Sequence, residues 1–328
     1  MKPLRRRFFQ VGAVTALLLG MSGAWAQDQD YPSKPITLVV PFPPGGVVDI
    51  IGRLVSEKLG ASMKATVIVE NRPGAGGTIG AGMAARAKPD GYTLLLGGSA
   101  THVFAPLLYA RLGYNPLKDF AAIGQISASP LAVVVSPTIQ VNTLPELISY
   151  LKANGNKVNY GSNGNGTFPQ LAQELLKQQY NLQTTHVPFG GGPAVMTALI
   201  RGDIAMSINH IAVVQGMVKS GKLKAIATTG KERTPAFPDL PTFEEAGVKG
   251  FEANTWFGLF APQGTPQPII AKLGAELKAA LANETLRTQL LKQGEEAKTS
   301  TPQELDNRIE VESAKWAKVI KDAKIVID

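Results

Sequence analysis

The sequence predicts an α/β protein with largely parallel sheets covered by helices. Three observations predict it. Short β-branched apolar runs recur along the chain, as in strands buried on both faces. Helical patterns separate these runs almost throughout. From Pro266 onward the chain reads as helix, with no room for another sheet. Its 328 residues are enough for about two domains at roughly 150 residues each.

The elements follow in order. Ile36–Val40 (ITLVV) is a buried strand, and Pro41–Gly46 a loop. Val47, Val48, Ile51, Leu54, Val55 and Leu59 then repeat at helical spacing. Thr66–Glu70 is a second strand, Thr78–Ala87 a small-residue helix and Tyr92–Leu96 a third strand. Further strands fall near Ala132–Val135, Val158–Gly161, Thr184–Val187, Ile204–Ile208 and Lys224–Thr228. Thr143 with Glu146, and Thr301 with Glu304, have capping-box spacing and open two helices. Ile123–Val135 and Phe251–Phe260 are longer than one strand needs. Each is either a segment crossing between two domains or a pair of strands joined by a tight turn.

The first 26 residues read as an export signal. Met1–Arg7 is basic, Phe8–Met21 is apolar, and Ala24 and Ala26 supply the small residues before a cut ahead of Gln27. The competing reading, a membrane anchor, is weakened by Gly12, Gly20 and Gly23 in a span only marginally long for a bilayer. Arg5-Arg6-Arg7-Phe8-Phe9-Gln10 also resembles a twin-arginine signal, so the Sec and Tat routes both stay open. The net charge of +8 overstates the mature surface, because Lys2, Arg5, Arg6 and Arg7 supply half of it. No dense basic run follows, which argues against nucleic acid as a partner.

Composition narrows the chemistry. The absence of cysteine excludes disulfides, thiolate metal sites and a Cys nucleophile. The three histidines, His102, His186 and His210, form no metal-binding spacing. Gly216–Lys222 starts like a P-loop, but Leu223 stands where Ser or Thr must ligate magnesium. Gly74–Gly80 has one residue too many for a dinucleotide fingerprint. Gly97–Thr101 misses a nucleophile elbow because Thr101 replaces the final glycine. A secreted hydrolase using Ser99 or Ser162 with one of the histidines is the enzymatic alternative. It lacks a visible base–acid pair.

Three loops share one design: a strand, a nearly uncharged glycine-rich turn, then a helix. They are Pro41–Gly46, Gly161–Thr167 and Pro188–Pro193. Glycine permits positive φ and close approach of backbone to ligand. The following helix offers unpaired N–H groups and a partial positive charge, an anion site that needs no Lys or Arg. Side chains at Gly45 or Gly46 are therefore expected to abolish binding. Asp49, in the first turn of the first of these helices, is assigned to ordering its loop, with ligand contact as the lesser reading. Phe42, Phe168, Phe189 and Trp256 adjoin the proposed cleft loops, and His102 follows a fourth loop. They offer flat walls for an aromatic or long-chain carboxylate. His186 reads as a core residue, and His210, at a strand end, can face the cleft.

At these loops the sequence resembles the extracytoplasmic solute receptors of the tripartite tricarboxylate transporters, the Bug proteins. The resemblance rests on ITLVVPFPPGGVVD (Ile36–Asp49), ENRPGAGG (Glu70–Gly77), KPDGY (Lys88–Tyr92), GSNGNGTFPQL (Gly161–Leu171), VPFGGG (Val187–Gly192) and WFGLFAPQGTP (Trp256–Pro266). It implies a type II periplasmic binding protein fold, with two α/β domains and parallel-rich sheets around a ligand cleft. The expected division is a signal peptide at 1–26, cleaved after Ala26, domain 1 at 27–124 plus 252–328, and domain 2 at 125–251. The implied protein is periplasmic, monomeric, not an enzyme, and free of cofactor and metal. It captures a small carboxylate and delivers it to the transporter's membrane subunits, or alternatively reports it to a signalling kinase. The expected ligand contacts are Phe42, Pro44, Gly45, Gly46, Asp49, Ser99 and Thr101 from the first part of the chain. Ser162, Asn165, Gly166, Thr167, Gln170, Phe189, Gly190, Gly191, Asn209 and Trp256 complete them. Two positions depart from the family's pattern: Gln170 replaces a usual His and Ala205 an acidic residue. Gln170 cannot become cationic, which favours a ligand with one carboxylate and an apolar body.

Overall fold

A computed structural model describes residues 31–327. The signal segment and its cleavage site lie outside the described residues. Contacts divide the chain into Met1–Ser33 and Lys34–Asp328, and everything below concerns the second unit.

The strands are β1 (Ile36–Val40), β2 (Val67–Asn71), β3 (Thr93–Gly98), β4 (Phe120–Val135), β5 (Asn159–Ser162), β6 (Thr185–Pro188), β7 (Met206–His210), β8 (Lys224–Thr228), β9 (Asn254–Pro262) and β10 (Glu296–Ala297). The helices are α1 (Val47–Met63), α2 (Thr78–Ala85), α3 (Ala105–Leu108), α4 (Leu144–Asn154), α5 (Phe168–Tyr180), α6 (Gly192–Arg201), α7 (Ile211–Lys219), α8 (Gln267–Leu281), α9 (Glu284–Lys292) and α10 (Pro302–Asp322). Main-chain pairing joins the strands in the order β2-β1-β3-β9-β4-β7-β5-β6, with β8 and β10 also on β4. Pairs β1–β2, β1–β3, β5–β6 and β5–β7 are parallel, as expected of strands linked through helices. β1 is apolar except at half-buried Thr37, and α1 and α2 both pack on it.

β4 explains the first of the two long segments. Phe120–Pro130 pairs antiparallel with β9, and Leu131–Val135 pairs with β7 and β8. It is one continuous strand of 16 residues, without the tight turn of the alternative reading. The second segment likewise holds a single strand, β9, which begins at Asn254 after three irregular residues. Proline cannot donate to a ladder, and Pro130 falls where β4 leaves β9 for its other partners. The main core contains Trp256, Trp316, Tyr160, Phe243 and Phe260. A smaller one gathers Val134, Val195, Leu199, Ile211 and Phe237.

Two expectations need correction. The stretch after Pro266 is not all helix: Gly294, at φ +75, ends the turn after α9, and the chain returns as β10 against Ser127 and Ala128 of β4. Thr301 and Glu304 form a complete capping box. At Thr143, however, only half of one forms, because the Glu146 carboxylate accepts from Asn142 N–H at 2.7 Å. Among the described residues no helix is long and apolar enough to cross a membrane.

Candidate ligand site

A cavity of about 420 Å³, of the size that holds small ligands, opens among the ends of these elements. Four helical starts reach it: α1 with Val47 and Val48, the turn from Ser99 and Ala100, α5 with Thr167 and Phe168, and α7 with His210, Ala212 and Val213. None of the four has a side-chain cap. The first N–H groups of a helix have no intrahelical acceptor, so an uncapped start leaves them to whatever occupies the space in front. No Lys or Arg lines the cavity. Its walls are largely apolar, with Phe42, Phe104, Leu108, Phe168 and Phe257 prominent.

The first wall is held by a charge. Asp49 is buried and accepts from Gly45 N–H at 2.9 Å, Arg53 Nε at 3.0 Å and Asn71 Nδ2 at 2.9 Å. Asn71 Nδ2 also reaches the Phe42 carbonyl at 3.1 Å. The bond from Arg53, against the opposing cost of burial, holds the Asp49 carboxyl down at about 2. Asp49 thus fixes the loop from behind, with Arg53 balancing its charge, and does not line the cavity. Pro44, Gly45 and Gly46 do not line it either, whereas Phe42 does. The two glycines also differ. Gly45 sits at φ +81, where a side chain is strained. Gly46 has φ −80 and room for a Cβ, so the expectation that both must lack a side chain holds on backbone grounds for Gly45 alone.

The second wall is held by neutral groups. Asn165, Gly166 and Thr167 line the cavity. Gln170 lies behind them: its Oε1 accepts from Gly166 N–H at 2.6 Å, which turns Nε2 toward His186 Nδ1 at 3.2 Å. An amide nitrogen only donates, so Nδ1 is the acceptor and the ring proton sits on Nε2, facing Ser162 Oγ at 2.6 Å. Burial lowers the His186 pKa and keeps the ring neutral. A serine nucleophile needs the opposite tautomer, with Nε2 free to accept its proton. Ser162 instead donates to Gly164 O at 3.0 Å and orders its own loop. Asn209 exchanges amide bonds with Asn163 at 3.1 and 2.8 Å and accepts from His210 N–H, bracing the start of α7.

The remaining expected contacts divide similarly. Ser99 lines the cavity. Thr101 is buried, bonded to Gly98 and at 2.9 Å to His102 Nδ1. His102 stacks on Phe260 at 3.9 Å, and burial lowers it to about 3. Its Nε2 has no partner, so Ser99 and His102 are not a catalytic pair. Trp256 is fully buried and donates to Glu312 at 2.8 Å. Phe189, Gly190 and Gly191 do not line the cavity, whereas the start of α7 does. Among the described residues no group of three His, Cys, Asp or Glu side chains could hold a metal ion.

Several lining residues carry no motif. Ser129, Thr255, Gln293 and Glu295 come from β4, β9 and the turn before β10, and only the strand pairing brings them together. Tyr109 and Ile327 lie far apart in sequence and meet through an isolated parallel bridge.

An α/β fold with a cavity at the starts of its helices is a geometry that binds small ligands. The profile described as "Tripartite tricarboxylate transporter family receptor" matches residues 51–325, and the chain belongs to that family. A UPF0065 protein of Agrobacterium vitis, from the TAR-I ttuE-ttuC' intergenic region, is 36% identical over 94% of this chain and 91% of its own. Among solved structures, R. palustris Rpa4515 with adipate is similar at a TM-score of 0.78 and 32% identity, covering 90% of this chain and 99% of its own. MatC (Rpa3494) from Rhodopseudomonas palustris with bound malate is similar at 0.73 and 33%, covering 88% and 100%. The fold is that of these periplasmic solute-binding proteins, and the family consists of solute receptors.

Proposed function

We propose that the protein is a periplasmic receptor that captures a small carboxylate in this cavity and delivers it to a tripartite tricarboxylate transporter in the membrane. The observation that carries the reading is the convergence of four uncapped helical starts on a cavity without Lys or Arg. Such starts stabilise an anion through backbone N–H groups and the helix dipole. The apolar walls suit a ligand with one carboxylate and an apolar body. That relatives were solved with adipate and malate supports the carboxylate class.

The Ser162–His186 contact gives no route to hydrolysis, because its tautomer is the wrong one and no carboxylate orients the ring. The protein binds and releases its ligand unchanged. The proposed lobes are 27–124 with 252–328, and 125–251, hinged near Gly124–Ile126 and Phe251–Thr255. The irregular register of β4 at Ala122/Gly124 and Gln125/Ser127 supports that placement.

A thermal-shift screen over mono-, di- and aromatic carboxylates tests the receptor reading. A bound acid raises the melting temperature with its concentration and is recovered intact. No shift with any carboxylate, or turnover of an ester, overturns it. Small-angle scattering with a confirmed ligand then tests closure, for which a smaller radius of gyration is expected.

A further inference from the structure

Glu295 stands apart from the rest of the cavity wall. It is 5% exposed, it lines the cavity, and none of the ion pairs among the described residues includes it. Its position is tightly fixed. Its N–H donates to Leu290 O at 3.0 Å, and β10, which pairs antiparallel with β4, begins at the next residue. Ser127 Oγ donates to its Oε2 at 2.7 Å, and Ser129 Oγ holds the Gly294 carbonyl at 2.6 Å. A purely structural role explains this poorly. Burial disfavours the ionised carboxyl here, and one hydrogen bond from a neutral group returns only a fraction of the lost hydration, so full ionisation awaits a cation. Buried charges are normally paired, and here the protein supplies the fixed acid without the cation.

We propose that Glu295 forms a second subsite, which selects a carboxylate ligand carrying a protonated amine at the end away from the helical starts. The inference rests on the receptor reading above and adds the chemistry of the ligand's other end. A zwitterion of this kind is neutral overall, as suits a cavity whose walls hold no Lys or Arg. Its carboxylate meets backbone N–H groups, its apolar body meets the phenylalanines, and its ammonium completes the ion pair. Burial raises the Glu295 carboxyl to about 8, consistent with a group that holds a proton until a cation arrives. The rival chemistry is a protonated Glu295 donating to the second carboxylate of a diacid.

Titration calorimetry separates the two. Wild type and Glu295→Gln are titrated with ω-amino acids of four to eight carbons and 4-(aminomethyl)benzoate. The matched acids without the amine, and the matched diacids, form the comparison. At least one amino acid should bind wild type tenfold or more tightly than its matched acid. Glu295→Gln should remove that advantage, bringing the amino acid to within about twofold of its matched acid. The wild-type series stands by itself if the variant folds poorly. A preference for diacids that disappears in Glu295→Gln overturns the proposal, as does equal affinity for amino and plain acids, while leaving the receptor reading intact. Failure of every acid to bind overturns both.

Discussion

The two glycine-loop walls of the cavity solve one problem in different ways. Each must hold a loop rigid ahead of an uncapped helix without presenting a free charge to the ligand. The Pro41–Gly46 wall does so with an ion, Asp49, kept behind the loop and balanced by Arg53. The Gly161–Thr167 wall uses neutral groups, a chain from Gly166 through Gln170 and His186 to Ser162. A carboxylate in the first turn of a helix is therefore no evidence of a cationic ligand at that end. It is scaffolding, and its charge is spent locally.

The largest effect expected is from Asp49→Ala. It strands the Gly45 N–H and takes one of two acceptors from the Asn71 amide, and should cost about 2–3 kcal/mol, or roughly 5 °C or more in melting temperature. Calorimetry that finds less than about 0.5 kcal/mol would mean the first loop stands without its ion. Next comes the contrast between neighbouring glycines. Gly45→Val, at φ +81, should cost about 1–2 kcal/mol and weaken ligand binding, while Gly46→Val should be milder in stability. Finding Gly46→Val the more destabilising would reverse the assignment of the strained position.

Gln170→Ala probes the neutral wall. Loss of the acceptor for Gly166 N–H should cost about 1–1.5 kcal/mol. The His186 midpoint, followed by NMR, should rise toward its ordinary value once the donor to Nδ1 is gone. An unmoved midpoint would disconnect Gln170 from the ring. The smallest effect separates the walls by pH. The neutral His186 ring is favoured by folding, so its contribution is present above 6.5 and fades as pH falls through its lowered value. The Asp49 contribution is complete above 3.8 and is lost only as pH falls through about 2. On acidification, amide exchange should therefore accelerate at 163–167 before it does at 43–46. The reverse order would refute the distinction.

Local pattern carried much of this from the sequence. β1 and β8 fall where their runs place them, β2, β3, β5, β6 and β7 lie within two residues, β4 and β9 begin three residues away, and β10 carried no signal. The two long segments were legible as long, but their pairing was not, since antiparallel register between β4 and β9 is decided by residues more than a hundred positions apart. The same holds at the cavity. Asn165, Gly166 and Thr167 could be read from glycine and a helix start, whereas Glu295 could not, because its place depends on β10 closing against β4. Phe189–Gly191 shows the converse. Its motif is as good as the others, yet topology brings α7 to the cavity and leaves α6 aside.

The pairing of β4 with β9 also has a mechanical consequence. The two spans are not independent tethers but a laminated strip, bonded edge to edge from Phe120–Pro262 to Pro130–Asn254. Such a strip flexes readily out of its own plane and resists shear within it, because sliding one strand along the other breaks the cross-strand bonds together. Bulges bend and twist a ladder locally, and the two in β4 give this strip its compliant points. A displacement of one side of the cavity relative to the other is thereby steered toward bending of the strip, with sliding left stiff.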